Sequence, residues 1–170
     1  MSIQPQDLYE LSVKSLANAN ELVEEAQLLF DHRRWPRVVF LCQIAGEELA
    51  KCFMSLTAIP RYAFETFNES TFLRRLRDHR EKTGEIDFFE QLFVGSDSIE
   101  HRDRAWRNDF ERFKLLSLYT DFFQGHAIQP SDGMTEAVAL AALTLSNSIQ
   151  LNTLGSFGAQ VIENPTDNDE

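Results

Sequence analysis

The sequence predicts an all-α fold, a bundle of about five main helices, on three observations. Its 170 residues include only seven glycines and five prolines, too few to punctuate a strand-and-turn architecture. The stretches between them are rich in Leu, Ala, Glu and Arg, residues that lose little on entering a helix. Apolar residues also recur at three- and four-residue steps, the period of a helix with one buried face. The length suits one domain over residues 1–163, followed by a polar, acidic tail at 164–170 that reads as disordered. No repeat of fixed period points to a solenoid.

The first helix is predicted from Asp7 to Phe30, with Leu8, Leu11, Leu16, Ala19, Val23, Ala26 and Phe30 in register and Pro5 and Asp7 suited to its start. Asp31 to Arg34 form a loop. Trp35-Pro36 opens the second helix, since proline is tolerated in a first turn. It presents Val38, Leu41, Cys42, Ala45, Leu49, Cys52, Phe53 and Leu56 and is predicted to end near Ala58, before Pro60. After an irregular aromatic stretch at 62–67, Ser70 or Thr71 is predicted to cap a third helix through Phe72, Leu73 and Leu76. Gly84 breaks it before an amphipathic piece ended by Gly95. A fourth helix runs from Ile99 to about Phe123, and Thr135 caps a last one whose AVALAALTL run, apolar nearly all round, suits a central position.

No window of about 18 residues is apolar and uncharged, and the first residues lack a basic segment followed by an apolar one, which predicts a cytoplasmic protein with no membrane contact. Cys42 and Cys52 are ten residues apart on one helix, about 15 Å at the helical rise, beyond disulfide reach, and read as small buried hydrophobes. The net charge of −11 argues against a general nucleic-acid-coating surface. That average conceals a pattern: no lysine or arginine follows Lys114, whereas Phe72 to Lys114 holds ten of them. An anion site is therefore predicted in that stretch, unless its cations simply pair with the acids beside them.

Three strings carry candidate chemistry. In Ala45-Gly46-Glu47-Glu48-Leu49-Ala50-Lys51, Lys51 follows Glu47 by four residues and Glu48 by three, so its ammonium can meet either carboxylate. The string is either a solvent-facing ion pair or a buried acidic feature that orders neighbouring helices or faces a partner. The most basic string, Arg74 to Lys82, holds Arg74, Arg75, Arg77, His79, Arg80 and Lys82. Metal-free RNA cleavage needs a base for the 2′-hydroxyl proton, an acid for the leaving oxygen and a cation for the phosphate. His79 can serve as base or acid, and the arginines and Lys82 as phosphate contacts. On an ideal helix Arg74 and His79 face about 140° apart, so they act together only if the helix ends near Asp78 or a second chain completes the site. Asp78 could instead pair with Arg74. In the third string, Lys114, Ser117 and Asp121 form one polar edge of the fourth helix, with Tyr119 beside it, read as a buried tyrosine bonded to a carboxylate. No phosphate-loop, dinucleotide, zinc-protease, paired-cysteine or nucleophile-elbow motif is present, so no cofactor or metal is expected.

Taken in order, AGEELAK at 45–51, RDHREK at 77–82 and KLLSLYTD at 114–121, then a proline-containing loop and an alanine-rich helix, resemble the AbiV-type abortive infection proteins of the HEPN superfamily. The likeness spans Leu8 to Leu154; Ala50 stands where the family pattern has glycine. The resemblance implies a HEPN-like helical bundle, usually a homodimer, in a response that shuts down host growth or translation after phage entry. It also implies that Arg74 and His79, at Arg-x4-His spacing, are the catalytic pair of a metal-independent RNase whose site is shared between two protomers and whose substrate is RNA. Arg75 departs from the Asn, Asp or His often found after that arginine. Members of the superfamily also act without cleavage, and the alternative is an interaction module that binds a phage protein, a host protein or a neighbouring defence subunit.

Overall fold

The structure is a computed structural model that describes residues 2–82, 84, 113–123 and 125–148. It is all-α in architecture. Two long helices, α1 (Pro5–Asp31) and α2 (Trp35–Ala63), are joined by the short turn His32 to Arg34. At the start of α1, Pro5 needs no hydrogen-bond acceptor, and Gln4 and Asp7 cap each other's backbone reciprocally. Arg33, at φ 57°, makes the reversal.

The buried positions of α1 are Leu8, Ser12, Ser15, Ala19, Val23 and Ala26, and those of α2 include Val38, Cys42, Ala45, Leu49 and Cys52. Both runs advance by three- and four-residue steps, the spacing of a seam between long packed helices. Val23 and Ala26 cluster with Val38, Cys42 and Ala45, Ala19 with Leu49 and Ala50, and Leu8 with Met54 and Ala58. Contacts thus run early-to-late along the whole length, an antiparallel pair. The seam residues are small, which lets the backbones approach. Their hydroxyls are satisfied within their own helices: Ser12 donates to the Tyr9 carbonyl at 2.7 Å and Ser55 to that of Lys51 at 2.8 Å.

The helix over 136–148 lays Ala139 and Leu143 on this pair, with Met134 beside them. Thr135 caps it, accepting the Val138 N–H at 3.4 Å, and the Ser146 hydroxyl reaches the Cys42 carbonyl at 3.5 Å. The AVALAALTL run is not buried all round. Leu140 is 52 % exposed, because one face suffices to cover α1 and α2.

Four further sequence expectations are corrected. α2 continues through Pro60 to Ala63. Proline there forfeits only one late hydrogen bond, and the turn is closed by Phe64 N–H to Pro60 O (3.1 Å) and Thr66 N–H to Arg61 O (2.8 Å). The third helix, α3 (Glu69–Arg77), is capped by Asn68, whose side chain accepts the Thr71 N–H, not by Ser70 or Thr71. It breaks at Asp78, six residues before Gly84. The expected long fourth helix stops at residue 118 and gives way to a hairpin of β1 (Asp121–Phe123) and β2 (His126–Ile128), turned by Gly125 at φ 82°. Proline and glycine at 130–133 form one further helical turn, with Gln129 and Asp132 capping each other. The amphipathic piece expected at 86–95, the first part of the fourth helix at 99–112 and the acidic tail at 164–170 lie outside the described residues.

Among the described residues, no helix is long and apolar enough to cross a membrane.

Candidate functional site

The site is built on the side of α2 turned away from α1. Glu47 lies about 200° around the helix from seam residue Ala45 yet is only 6 % exposed. Its burial comes from two other segments that close over it. Glu48, one residue on, points elsewhere and takes Lys51 at 2.5 Å, so Lys51 serves Glu48 and not Glu47.

The covering segment begins at the end of α3. Asp78 adopts an extended conformation (φ −87°, ψ 115°), and its carboxylate accepts the N–H of Arg80 at 2.9 Å and of Glu81 at 3.4 Å. Asp78 therefore stops one helix and caps the next turn, residues 79–82, so it is a cap and not the partner of Arg74. His79 and Lys82, three apart on that turn, share a face and both reach Glu47: His79 Nδ1 at 2.7 Å and Lys82 Nζ at 2.7 Å from Oε2. The helix over 113–118 adds Lys114, whose Nζ lies 2.5 Å from Oε1. Lys114 is steadied from its own turn, where the buried Ser117 hydroxyl donates to its carbonyl at 2.7 Å.

Glu47 is thus held by one imidazole and two ammonium groups. Burial works against its charged form, but the hydrogen bonds and charges of Lys114 and Lys82 outweigh that and hold its carboxyl below the usual value. An ionised carboxylate can only accept, so the Nδ1 of a neutral His79 carries the proton and its Nε2 the lone pair. Lys114 Nζ also lies near Nδ1, but at 3.5 Å it is the weaker contact and does not reverse that assignment.

Two ammoniums on one carboxylate leave the cluster with a positive excess, and more cations stand beside it. Arg74, Arg77, Asp78, His79 and Arg80 line one shallow, open surface. The break at Asp78 is what brings Arg74 and His79 together, removing the 140° mismatch of a continuous helix. Arg74 is well exposed, and among the described residues the carboxylate oxygen it approaches is that of Glu81, at 3.9 Å. Arg75 donates to the other oxygen of the same Glu81 carboxylate at 3.1 Å.

Several sequence-derived candidates are placed differently. Lys82, a phosphate contact on the sequence reading, is buried and holds Glu47 at 2.7 Å. Tyr119 is 57 % exposed and not a buried tyrosine. Asp121 lies in β1, off the helix that carries Lys114, and accepts the adjacent Phe122 N–H at 2.7 Å. Two contributors are absent from the sequence reading: Glu81, which holds Arg75, and Asp78 as a cap. Their spacing, Asp-x-x-Glu, is itself the signature of a helix start and could have revealed both. Among the described residues no group of His, Cys, Asp and Glu is arranged to hold a metal ion.

No curated protein and no solved structure matches the chain. The AbiV family of HEPN proteins does, over residues 7–150, a span that takes in α1 from Asp7 onward, α2, α3, the Glu47 cluster and the hairpin. The chain therefore belongs to the AbiV family, whose class of function is abortive-infection defence.

Proposed function

We propose that the protein is a metal-independent endoribonuclease, a toxin that acts as a cytoplasmic homodimer and shuts down host translation in response to phage. The observation that carries this reading is the His79 ring, bonded through Nδ1 to buried Glu47 at 2.7 Å while lining the same surface as Arg74, Arg77 and Arg80. The imidazole and the arginines supply the base and the cation that cleavage needs, and a second copy of the imidazole would supply the acid.

His79 Nε2 takes the proton of a ribose 2′-hydroxyl, and the freed oxygen attacks the adjacent phosphorus. Arg74 holds the non-bridging oxygens, with Arg77 and Arg80 neutralising neighbouring phosphates. The 5′-oxygen leaves with a proton supplied by an imidazolium, and the products are a 2′,3′-cyclic phosphate and a 5′-hydroxyl. Glu47 is a positioning residue. It fixes the ring's orientation and tautomer and stabilises the imidazolium formed in the first step. In a homodimer, the partner's copy of the same histidine supplies the acid, consistent with the family likeness.

The test is controlled expression of wild type and His79→Ala, with mapping of RNA 5′ ends, alongside cleavage by purified protein in EDTA. Loss of a general base lowers cutting by about 10²- to 10⁴-fold, and growth arrest should vanish with it. His79 is 56 % exposed at its side chain, so the variant should keep the wild-type melting behaviour. Full toxicity or undiminished cutting in the folded variant rejects the reading, and a protein that sediments only as a monomer rejects the dimer.

A further inference from the structure

A second cavity, of about 150 Å³, lies where the end of α2 meets α3. A space of that size takes one ring system, as a comparable engineered cavity takes benzene, and not a drug-sized molecule. Its apolar lining comes from Met54, Ala58, Phe67 and Phe72, with the two phenylalanine rings tilted against each other at 5.5 Å. Its polar lining is directional. The Thr57 hydroxyl donates to the Phe53 carbonyl at 3.0 Å and the Thr66 hydroxyl to that of Arg61 at 3.1 Å, so both oxygens bring lone pairs. Asn68 Oδ1 is taken by the Thr71 N–H and the Ser70 hydroxyl, each at 2.9 Å, so its amide nitrogen is the group that donates. The cavity therefore suits a ligand that is flat and apolar on its faces and carries both N–H donors and acceptors on its edge. That is the chemistry of a nucleobase.

Two further features point the same way. Arg61 and Arg75 also line the cavity, and Arg75 links it to the His79 surface through Glu81, which takes Arg75 at 3.1 Å and faces Arg74 at 3.9 Å. The turn over the cavity is also held in an unusual shape. Glu65 sits at φ 56°, and Phe64 beside it is 78 % exposed, an aromatic face open to stacking.

We propose that this cavity receives one unstacked base of single-stranded RNA, adjacent to the phosphate held at Arg74 and His79, and so selects where the strand is seated. The proposal rests on reading the His79 surface as an RNA site. The base lies against Phe67 and Phe72, Thr57 and Thr66 accept from its N–H groups, Asn68 donates to its edge, and Arg61 meets the phosphate on its far side.

The test uses the full chain carrying His79→Ala, in EDTA, with a fluorescein-labelled single-stranded RNA and a set of the same RNA bearing one abasic residue at each position in turn. Binding is read by anisotropy. One abasic position should weaken binding about tenfold, the loss of one base–aromatic contact. Thr71→Phe, an exposed change on the cavity lining, should cause the same loss with intact RNA and make the abasic position indifferent; Arg61→Ala should weaken binding several-fold wherever that base is present. A flat abasic scan, or a Thr71→Phe protein that binds intact RNA as well as its parent, overturns the proposal. If the abasic effect appears but wild-type protein cuts no RNA, the ribonuclease reading fails and the base site stands. If wild type cuts RNA and Thr71→Phe cuts and binds equally well, the base site fails alone. No RNA binding by any version overturns both.

Discussion

The two sides of α2 bury their side chains by opposite means. Toward α1 the helix presents Val38, Cys42, Ala45, Leu49 and Cys52, held by apolar area and close packing with no directional demand. Away from α1 it presents Glu47, buried as fully but held by His79, Lys82 and Lys114 at hydrogen-bond distance. The seam depends on volume and tolerates exchange of residues of similar size. The cluster depends on charge: Glu47 and Lys82 are buried on the strength of each other and of Lys114, while the half-exposed His79 is held at the edge. A function that needs an oriented histidine beside arginines requires the second kind of site, and the first kind supplies the rigid frame for it.

Removing the centre of the cluster should therefore have the largest effect. Glu47→Ala leaves Lys82, 5 % exposed at its side chain, and Lys114, at 19 %, without their shared carboxylate. Breaking a buried pair in this way costs about 3–5 kcal/mol, measurable by urea unfolding. Adding Lys82→Met should recover part of that loss, and a double variant no more stable than Glu47→Ala would mean that the charge is not the issue. The pH dependence follows the same logic. The Glu47 pKa is lowered on folding, so its contribution is complete above the ordinary value of 4.5 and is lost as the pH falls through the lower folded value. The stability difference between wild type and Glu47→Gln should shrink on acidification over that range. A difference constant with pH would contradict the ionised carboxylate.

The seam should fail at the opposite end of the pH scale. Burial, which disfavours the charged thiolate, pushes the Cys42 and Cys52 thiols up from 9.0 to about 11. A raised pKa means that the fold binds the proton more tightly than the unfolded chain does. Stability is undiminished below pH 9 and is lost as the pH climbs toward 11. A two-unit shift corresponds to about 3 kcal/mol per thiol at the far end. Cys52→Ala should lose less stability than wild type between pH 9 and 11, read as the difference between their urea midpoints. Parallel losses would show that the thiol at Cys52 ionises without unfolding cost.

The seam was legible in the sequence and the cluster only in pieces, for a physical reason. A helix that buries one face writes its period into consecutive residues, so α1 and α2 follow from the spacing of Leu8, Ala19 and Ala26 or of Cys42, Ala45 and Leu49. Glu47, His79 and Lys114 each stand out in the sequence, but their meeting depends on contacts across 32 and 67 residues, for which local spacing has no signature. Asp78 was legible in principle as a cap followed by Glu81, yet glycine is the stronger punctuation, and Gly84 drew the expected break six residues too far. Tyr119 and Asp121 fall off the expected helix because Gly125 lets the chain turn back as a hairpin. Propensity is weak where a two-stranded hairpin and one more helical turn differ by so few residues.

The smallest effect is expected one residue from the largest. Glu48 has the same side chain as Glu47 and also holds a lysine at 2.5 Å, but its side chain is 13 % exposed and that of Lys51 is 27 %, and the pair is an i,i+3 contact within one helix. Both groups are partly open to water, and neither strands a partner from another segment when removed. Such helical pairs contribute about 0.2–0.5 kcal/mol and weaken with salt. Glu48→Gln should shift the urea midpoint by no more than that, lose even this shift in high salt, and leave RNA cleavage at the wild-type rate. A cost near that of Glu47→Ala would mean that burial of α2's charged string is shared between the two glutamates. A small cost beside a large one fixes the boundary of the cluster at the 100° step between neighbouring residues. The covering turn at 79–82 would then be what separates a carboxylate shared between three segments from a partly buried one paired within its own helix.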